Sequence, residues 1–354
     1  MARQRLDQWW LELLTREPPT FLGFLARVAA RVAAMPYGVA VRFRNFLFDS
    51  KLRTIAKSNV PVISVGNLTV GGTGKTPCVL WLAKWFEQHK IVPVILSRGY
   101  GAANEHQAND EAMELARRLP DVVHLQGANR AIQAGIAEAK HQAEVLILDD
   151  GFQHRKLHRD LDLVLIDATN AWGHGYLLPR GLLREAPASL LRADVVILTR
   201  SSHVDQTQRI QIRQRVESIA PKALWAEATD APVAWVDANG RTLGLEKIRG
   251  PIAAFCGIGN PIGFSSTLNQ LGLEVSDLIT FPDHHGYESN DLNRIQEMAG
   301  QQAAEAIICT EKDLVKINCC DVGGIPLWAL RIEFQWRLGQ PELESELRKL
   351  TAEK

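Results

Sequence analysis

The segment Thr69-Val70-Gly71-Gly72-Thr73-Gly74-Lys75-Thr76 has the residue types needed to hold a chain of phosphates. Glycines let the backbone turn its N–H groups toward an anion with no side chain in the way. Lys75 can reach the β and γ phosphates, and the Thr76 hydroxyl can ligate Mg²⁺. The loop follows an apolar run, Pro61–Gly66, and precedes a helical stretch from Lys75 to about Gln88. It is therefore expected between a strand and a helix whose positive N-terminal end faces the same anion. The usual pattern is Gly, four residues, Gly-Lys-Ser/Thr; Thr69 stands at the first place, which makes the loop a variant.

A second chemical element is Val145-Leu146-Ile147-Leu148-Asp149-Asp150. An apolar run that ends in acid puts a carboxylate at the C-terminal edge of a parallel sheet, where the metal-holding acid of a phosphate-loop protein lies. Either aspartate fits. Two chemistries are open to such a site: a nucleotide switch that resets by hydrolysis, and a kinase that passes the γ-phosphate of ATP to a hydroxyl. A guanine reader carries Asn-Lys-x-Asp. The nearest match, Thr310-Glu311-Lys312-Asp313, lacks the Asn, which weakens the GTPase reading and leaves an ATPase open.

These residues need a scaffold. Runs at Pro61–Gly66, Ile91–Ser97, Val122–Leu125, Val145–Leu148, Leu163–Ile166 and Val195–Leu198 read as strands, with helices expected at about Asn109–Leu119 and Arg130–His141 between them. Further strands are expected at Ala223–Glu227, Val233–Val236, Ile252–Cys256, Glu274–Thr280 and Ala306–Cys309, and helices at Asp205–Ile219, Pro261–Leu271 and Asn290–Gly300. Alternating strands and helices imply an α/β fold with a mostly parallel sheet covered on both faces. At 354 residues the chain is long for one core, so a second, smaller α/β lobe is expected. Lys plus Arg equals Asp plus Glu at 40 each, so no global field favours nucleic acid. The five cysteines match no zinc spacing and read as reduced thiols.

The first 48 residues are richer in bulky apolar groups and arginine than in acid. Apolar body plus Arg16, Arg27, Arg31, Arg42 and Arg44 describes either a helix lying in a lipid interface or one packed on the protein's own core. No secretory signal is visible. Phe21–Val41, interrupted by Arg27, Arg31 and Pro36, does not read as a membrane span.

The loop Val65–Pro77 resembles that of the tetraacyldisaccharide 4'-kinases. So do Ser97-Arg98-Gly99-Tyr100-Gly101, Asn109-Asp110-Glu111, Leu148–Arg155, Leu177–Glu185, Phe281-Pro282-Asp283-His284-His285 and Thr310–Asp313. They stand in family order, and the run Asp149-Asp150-Gly151-Phe152-Gln153-His154-Arg155 is the most specific. Departures are Asn109-Asp110-Glu111-Ala112 in place of Gly-Asp-Glu-Pro and Leu182 in place of the Pro before Leu-Arg-Glu.

The resemblance implies an enzyme of lipid A biosynthesis that uses ATP and Mg²⁺ to phosphorylate the 4'-hydroxyl of a tetraacyldisaccharide 1-phosphate, with neither nucleic acid nor an obligate protein partner. It implies an N-terminal helix that touches the membrane, and work on the cytoplasmic face of the bacterial inner membrane. The implied organisation is an interfacial segment at 1–58, a kinase domain at 59–200 and a second lobe at 201–354 that contributes to the active site. It makes Asp110 the expected base and His284 its partner. Thr76, Glu111 and Asp149 are the expected metal-associated groups. Asn67, Arg98, Arg184 and Lys312 are candidates for holding substrate.

Overall fold

The computed structural model describes residues 20–99, 110–275, 277–283 and 285–352. The first described element is a long helix, α1 (Phe21–Asp49), capped by Thr20, whose hydroxyl oxygen accepts the Gly23 N–H. Then follow β1 (Val62–Asn67), α2 (Lys75–Gln88), β2 (Pro93–Ser97), α3 (Asp110–Arg118), β3 (Val123–Gln126), α4 (Arg130–His141) and β4 (Val145–Asp149). The chain continues through β5 (Leu161–Asp167), β6 (Val195–Thr199), α5 (Gln206–Ile219), β7 (Leu224–Val236) and β8 (Thr242–Leu243). It goes on with β9 (Ile252–Cys256), α6 (Pro261–Gln270), β10 (Leu278–Thr280), α7 (Ser289–Gln301), β11 (Ala306–Thr310) and α8 (Glu311–Ile317). The last elements are β12 (Asp321–Val322), β13 (Ile325–Leu338) and α9 (Gln340–Ala352).

These elements form two compact units. The larger holds the described residues up to 99, then Arg118–Asp230 and the segment from Phe334 on; the smaller holds Ala231–Glu333 and most of α3. The chain passes between units within β7 and again within β13.

In the larger unit β3, β2, β4, β1, β5, β6 and the start of β7 pair in that order, all parallel. Parallel neighbours need crossovers, and helices supply them while covering both faces. That is why β1, β2, β4 and β6 are buried at every position. One core gathers Phe152, Val164, Leu183, Leu190 and Val216, another Val62, Leu96, Ala134, Leu148 and Leu157. β1 pairs with β4 on one side and β5 on the other, with Val65 opposite Asp149 and Leu163. The crevice at the carboxyl ends of such strands is where open α/β sheets bind ligands.

The smaller unit has its own parallel set, β10-β9-β11-β13. Its cores centre on Phe255, Ile295 and Ile307 on one side and Trp235, Leu268 and Trp328 on the other.

The helix α1 differs from expectation. It runs unbroken for 29 residues through Arg27, Arg31 and Pro36. Among the described residues it is the one helix long and apolar enough, by length and composition, to cross a bilayer. Proline forfeits one hydrogen bond to the carbonyl four residues earlier, here that of Val32 on an exposed part of the helix. One face is fastened to the larger unit. Tyr37 donates to the Arg184 carbonyl at 2.9 Å, and Arg44 and Asn45 donate to Glu185 at 2.6 and 3.0 Å. The other face carries Phe21, Leu25, Val28, Val32, Met35, Val39, Phe43 and Phe46, each between 47 and 80% exposed. Steps of three and four keep them in one stripe, about 38 Å long at 1.5 Å per residue.

Candidate active site

The phosphate loop is tied down at its ends and open in its middle. Asn67, buried at the end of β1, donates its side-chain N–H to the Thr69 carbonyl at 2.7 Å. The Asn67 carbonyl accepts from Gln153 at 2.8 Å. Val70 donates to the Leu182 carbonyl at 2.8 Å, and Arg184 donates its backbone N–H to Leu68 at 2.7 Å. On the far side the Thr199 hydroxyl donates to the Thr73 carbonyl at 3.0 Å. Between these anchors a Cβ added at Gly71 or Gly72 would meet nothing within 4 Å. The backbone there faces open space that a phosphate chain can fill.

Gly74 closes the loop with φ of +82°, a conformation only glycine adopts at little cost. It is also the N-cap of α2, and no side chain caps this helix. The first N–H groups of α2 are thus left for a ligand, at the positive end of the helix. The buried Thr73 hydroxyl has no hydrogen-bond partner within the protein, which marks a group waiting for one. The Thr76 side chain is buried in the first turn.

Charge converges on the same loop. Lys75 Nζ lies 3.6 Å from Asp150 Oδ1. Arg184 Nη1 reaches both oxygens of Asp150, at 2.9 and 2.7 Å. Burial alone would raise the Asp150 carboxyl, but the charges of Lys75 and Arg184 outweigh it and hold it below the usual carboxylate range. Asp149, one residue earlier, is buried at the end of β4. Its charge acts on α2, where burial first and Asp149 second push the Cys78 thiol up.

The other expected residues are divided between the two units. Arg98 is exposed just beyond β2, and its charge, after burial and those of Arg130, Lys156 and Arg159, lowers His154 to about 4. His154 is therefore a neutral imidazole at pH 7. Asp110 and Glu111 are the first residues of α3, which belongs mainly to the smaller unit. His284 lies outside the described residues. Its neighbour His285 is committed within the smaller unit, with Nε2 2.9 Å from Asp291 and its ring stacked on Phe281 at 4.8 Å.

Lys312 sits in the first turn of α8 in that same unit. The acids flanking it have structural partners: Glu311 accepts from Arg331 at 2.8 and 3.0 Å. Asp313 accepts from the Gly257 N–H, the Tyr287 hydroxyl and the Thr310 hydroxyl. The structure thus brings Asn67, Thr69–Thr76, Asp149 and Arg184 together in the larger unit.

Sequence reasoning gave no role to Thr199, Gln153 or Glu185. Gln153 and Glu185 stand in segments singled out above, and Thr199 has the weaker signal of a hydroxyl at the end of a buried strand. Glu185 is fully buried and held by Arg44, Asn45 and Arg192 at 2.6–3.0 Å.

A glycine-rich turn at the carboxyl ends of parallel strands, with lysine and acid meeting above it, is how the P-loop nucleotide-binding enzymes grip phosphate. Within that class the comparisons are specific. The sequence profile of the tetraacyldisaccharide-1-P 4'-kinase family matches residues 26–352, and the chain belongs to this family of lipid A biosynthesis kinases. It is 38% identical to the tetraacyldisaccharide 4'-kinase of Anaeromyxobacter dehalogenans strain 2CP-C, over 96% of this chain and 93% of that one. It is also 38% identical to that of Syntrophus aciditrophicus, over 94% and 95%. The crystal structure of the apo form of LpxK from Aquifex aeolicus in complex with ATP is similar, with a TM-score of 0.72 and 28% identity over 92% of this chain and 99% of that one.

Proposed function

We propose that this chain transfers the γ-phosphate of ATP to the 4'-hydroxyl of a tetraacyldisaccharide 1-phosphate, at the cytoplasmic face of a bacterial inner membrane. The observation that carries the reading is the pair Lys75–Asp150 above an open glycine loop, in a chain of this family.

Transfer to a sugar hydroxyl needs positioning, neutralised phosphate charge and a proton acceptor. Backbone N–H groups of Gly71–Thr76 hold the phosphates. Lys75, kept close by Asp150, exchanges that carboxylate for the β and γ phosphate oxygens. Arg184, expected to hold substrate, is engaged by Asp150 at 2.7 and 2.9 Å and is assigned here to hold that carboxylate aside. Among the described residues no group of three His, Cys, Asp or Glu is arranged to hold a metal by itself. The oxygen donors of Thr76 and Asp149 would suit a hard cation such as Mg²⁺. Thr76, Asp149 and Glu111 are assigned to hold it, and when bound Mg²⁺ neutralises charge on the transferring group. Asp110 takes the proton of the acceptor hydroxyl and His284 orients it. Asn67, Arg98 and Lys312 are assigned to the substrates.

The exposed stripe of α1 supports the membrane part of the reading. Eight large apolar side chains along one face, with Arg31 and Arg42 beside them, match a helix set into the boundary between headgroups and acyl chains. The acceptor is itself a lipid, so docking there brings the site to its substrate.

The test is phosphate transfer from labelled MgATP to the tetraacyldisaccharide 1-phosphate in mixed micelles, with wild type, Lys75→Ala and Asp110→Ala. Transfer by wild type and a fall of orders of magnitude in both variants is expected. ATP hydrolysis with no labelled lipid would replace the kinase reading with that of a nucleotide switch.

A further inference from the structure

A buried carboxylate fastens three loops of the smaller unit at the carboxyl edge of its sheet. Asp313, in the first turn of α8, is fully buried. Its Oδ1 accepts the Gly257 N–H at 3.1 Å and the Tyr287 hydroxyl at 2.8 Å. Its Oδ2 accepts the Thr310 hydroxyl at 2.6 Å. Gly257 follows β9, Thr310 ends β11, and Tyr287 closes the segment that leaves β10 at Phe281. β10, β9 and β11 are parallel neighbours in that order. The carboxyl ends of such strands are where an α/β unit sets out its functional groups. The fit is close. A Cβ at Gly257 would lie 3.0 Å from the Tyr287 hydroxyl, 3.1 Å from Asp313 Oδ1 and 3.2 Å from the Pro282 carbonyl, so glycine is what lets the three meet. Burial first, and the Asp313 charge second, push the Tyr287 hydroxyl up, so it stays protonated and donates.

Burying a carboxylate costs free energy that an apolar side chain in its place would not. Apolar packing is at hand, since Ile307 and Leu314 of the same core are fully buried. What hydrogen bonds add to such contacts is fixed direction. The segment that Tyr287 closes is anchored on both sides of position 284. The Phe281 N–H donates to the Cys256 carbonyl at 2.8 Å. The Tyr287 ring meets Phe281 edge to face at 5.1 Å, Phe255 at 5.5 Å and His285 at 5.1 Å. The Tyr287 hydroxyl then ties this aromatic group, through Asp313, to the loops after β9 and β11. His284, assigned above as the partner of Asp110, belongs to this segment by sequence, and Asp110 opens α3 in the same unit.

We propose that Asp313 and Tyr287 are positioning residues for phosphate transfer: they fix the segment Phe281–Tyr287 so that the imidazole it carries can orient the base, Asp110. This inference rests on the assignment of His284 and Asp110 made above. A catalytic group displaced by about 1 Å can cost about a hundredfold in rate, so a rigid mount behind the imidazole bears on turnover and leaves ATP binding alone.

The experiment is a double-mutant cycle on transfer from labelled MgATP to the tetraacyldisaccharide 1-phosphate in mixed micelles. It compares wild type, Asp313→Asn, Tyr287→Phe and His284→Ala, with each of the first two substitutions also made in His284→Ala. Asp313→Asn and Tyr287→Phe are each expected to lower kcat by about tenfold or more, the size of a lost hydrogen bond to a charged group. KM for ATP should stay within about twofold, since both residues lie in the smaller unit and the phosphate loop in the larger. In the His284→Ala background the same substitutions are expected to cost nothing further, because residues that act through one another are not additive. Equal losses in both backgrounds, or an unchanged kcat in both single variants, overturn the positioning role. Tyr287→Phe keeps the ring against Phe255, Phe281 and His285 and carries the test alone where Asp313→Asn fails to fold. A His284→Ala variant with the kcat of wild type would overturn the assignment of His284 and the inference with it. That result is distinct from equal losses beside an impaired His284→Ala, which strike the positioning role only.

Discussion

Glu185→Ala is expected to be among the most destabilising single changes in the larger unit. The side chain is fully buried, yet it carries charge. Arg192 donates to it at 2.8 Å, Arg44 at 2.6 Å and Asn45 at 3.0 Å. Removing the carboxylate leaves Arg192, whose side chain is only 18% exposed, without its counter-charge. Breaking a buried pair in this way costs about 3–5 kcal/mol, which lowers Tm by roughly 6–20 °C for a body of 150–250 residues.

Arg44→Ala removes the more exposed partner, at 34%, and is expected to cost nearer 1 kcal/mol. Burial by itself would raise the Glu185 carboxyl; Arg192, hydrogen bonds from Ser189 and Arg192, and Arg44 together hold it below the usual range. A depressed carboxylate stabilises the fold above its unfolded pKa of about 4.3 and loses that stabilisation as pH falls through the lower folded value. The gap between wild type and Glu185→Ala should therefore be full at pH 7 and narrow below about pH 4. Calorimetric or fluorescence melts across that range measure it. A variant that melts within 1–2 °C of wild type at pH 7 would refute the reasoning.

Three further outcomes follow from the loop and from α1. Gly74→Ala forces a Cβ into φ of +82° at a cost of about 1–2 kcal/mol, and calorimetry with ATP should show weaker binding; an unchanged Kd would mean that the turn is not part of the grip. Thr199→Val removes the hydroxyl that holds the Thr73 carbonyl and should raise KM for ATP severalfold, since one such bond is worth about 1 kcal/mol. Val32→Asp with Val39→Asp places two charges in the exposed stripe. Cosedimentation with vesicles should be lost while circular dichroism is unchanged, and retained binding would turn the search for a membrane contact away from α1.

The phosphate grip was legible because its chemistry is local. Gly71–Thr76 and the acids after β4 are contiguous runs with a fixed relation to one strand and one helix, and the structure places them so. Long-range partners were not. Nothing in the sequence says that Lys75 should meet Asp150 rather than Asp149; a left-handed turn at Asp150, φ +53°, decides it. β7 was expected as two strands and is one, although Pro232 interrupts it, as proline is tolerated where a ladder bond is not required. β10 is shorter than the apolar pattern suggested. β13 and α9 have no counterpart in the sequence reading, since Gly323-Gly324, Pro326 and Gly339 punctuate that segment with turn signals. The continuity of α1 is a matter of environment: with most of its surface unpacked, arginines and a proline interrupt no core.

The passage of the chain from one unit to the other within β7, and back within β13, sets an order of assembly during synthesis. Residues 231–333 leave the ribosome as one block and bring nearly all of the smaller unit with them. The larger unit has by then received β1–β6 but lacks its closing pieces. Phe334 and Trp336 stack edge to face, Trp336 meets Trp81 on α2, and Leu343 and Leu347 of α9 are fully buried. Apolar surface awaiting those residues stays uncovered until the segment through Leu347 has emerged. Domains emerge and fold as units at about 5–20 residues per second, so the interval is several seconds in which α2, with its phosphate loop in place, has no lid over Trp81. A nascent chain halted before residue 334 is the form most exposed to aggregation, and the one a chaperone would be expected to hold.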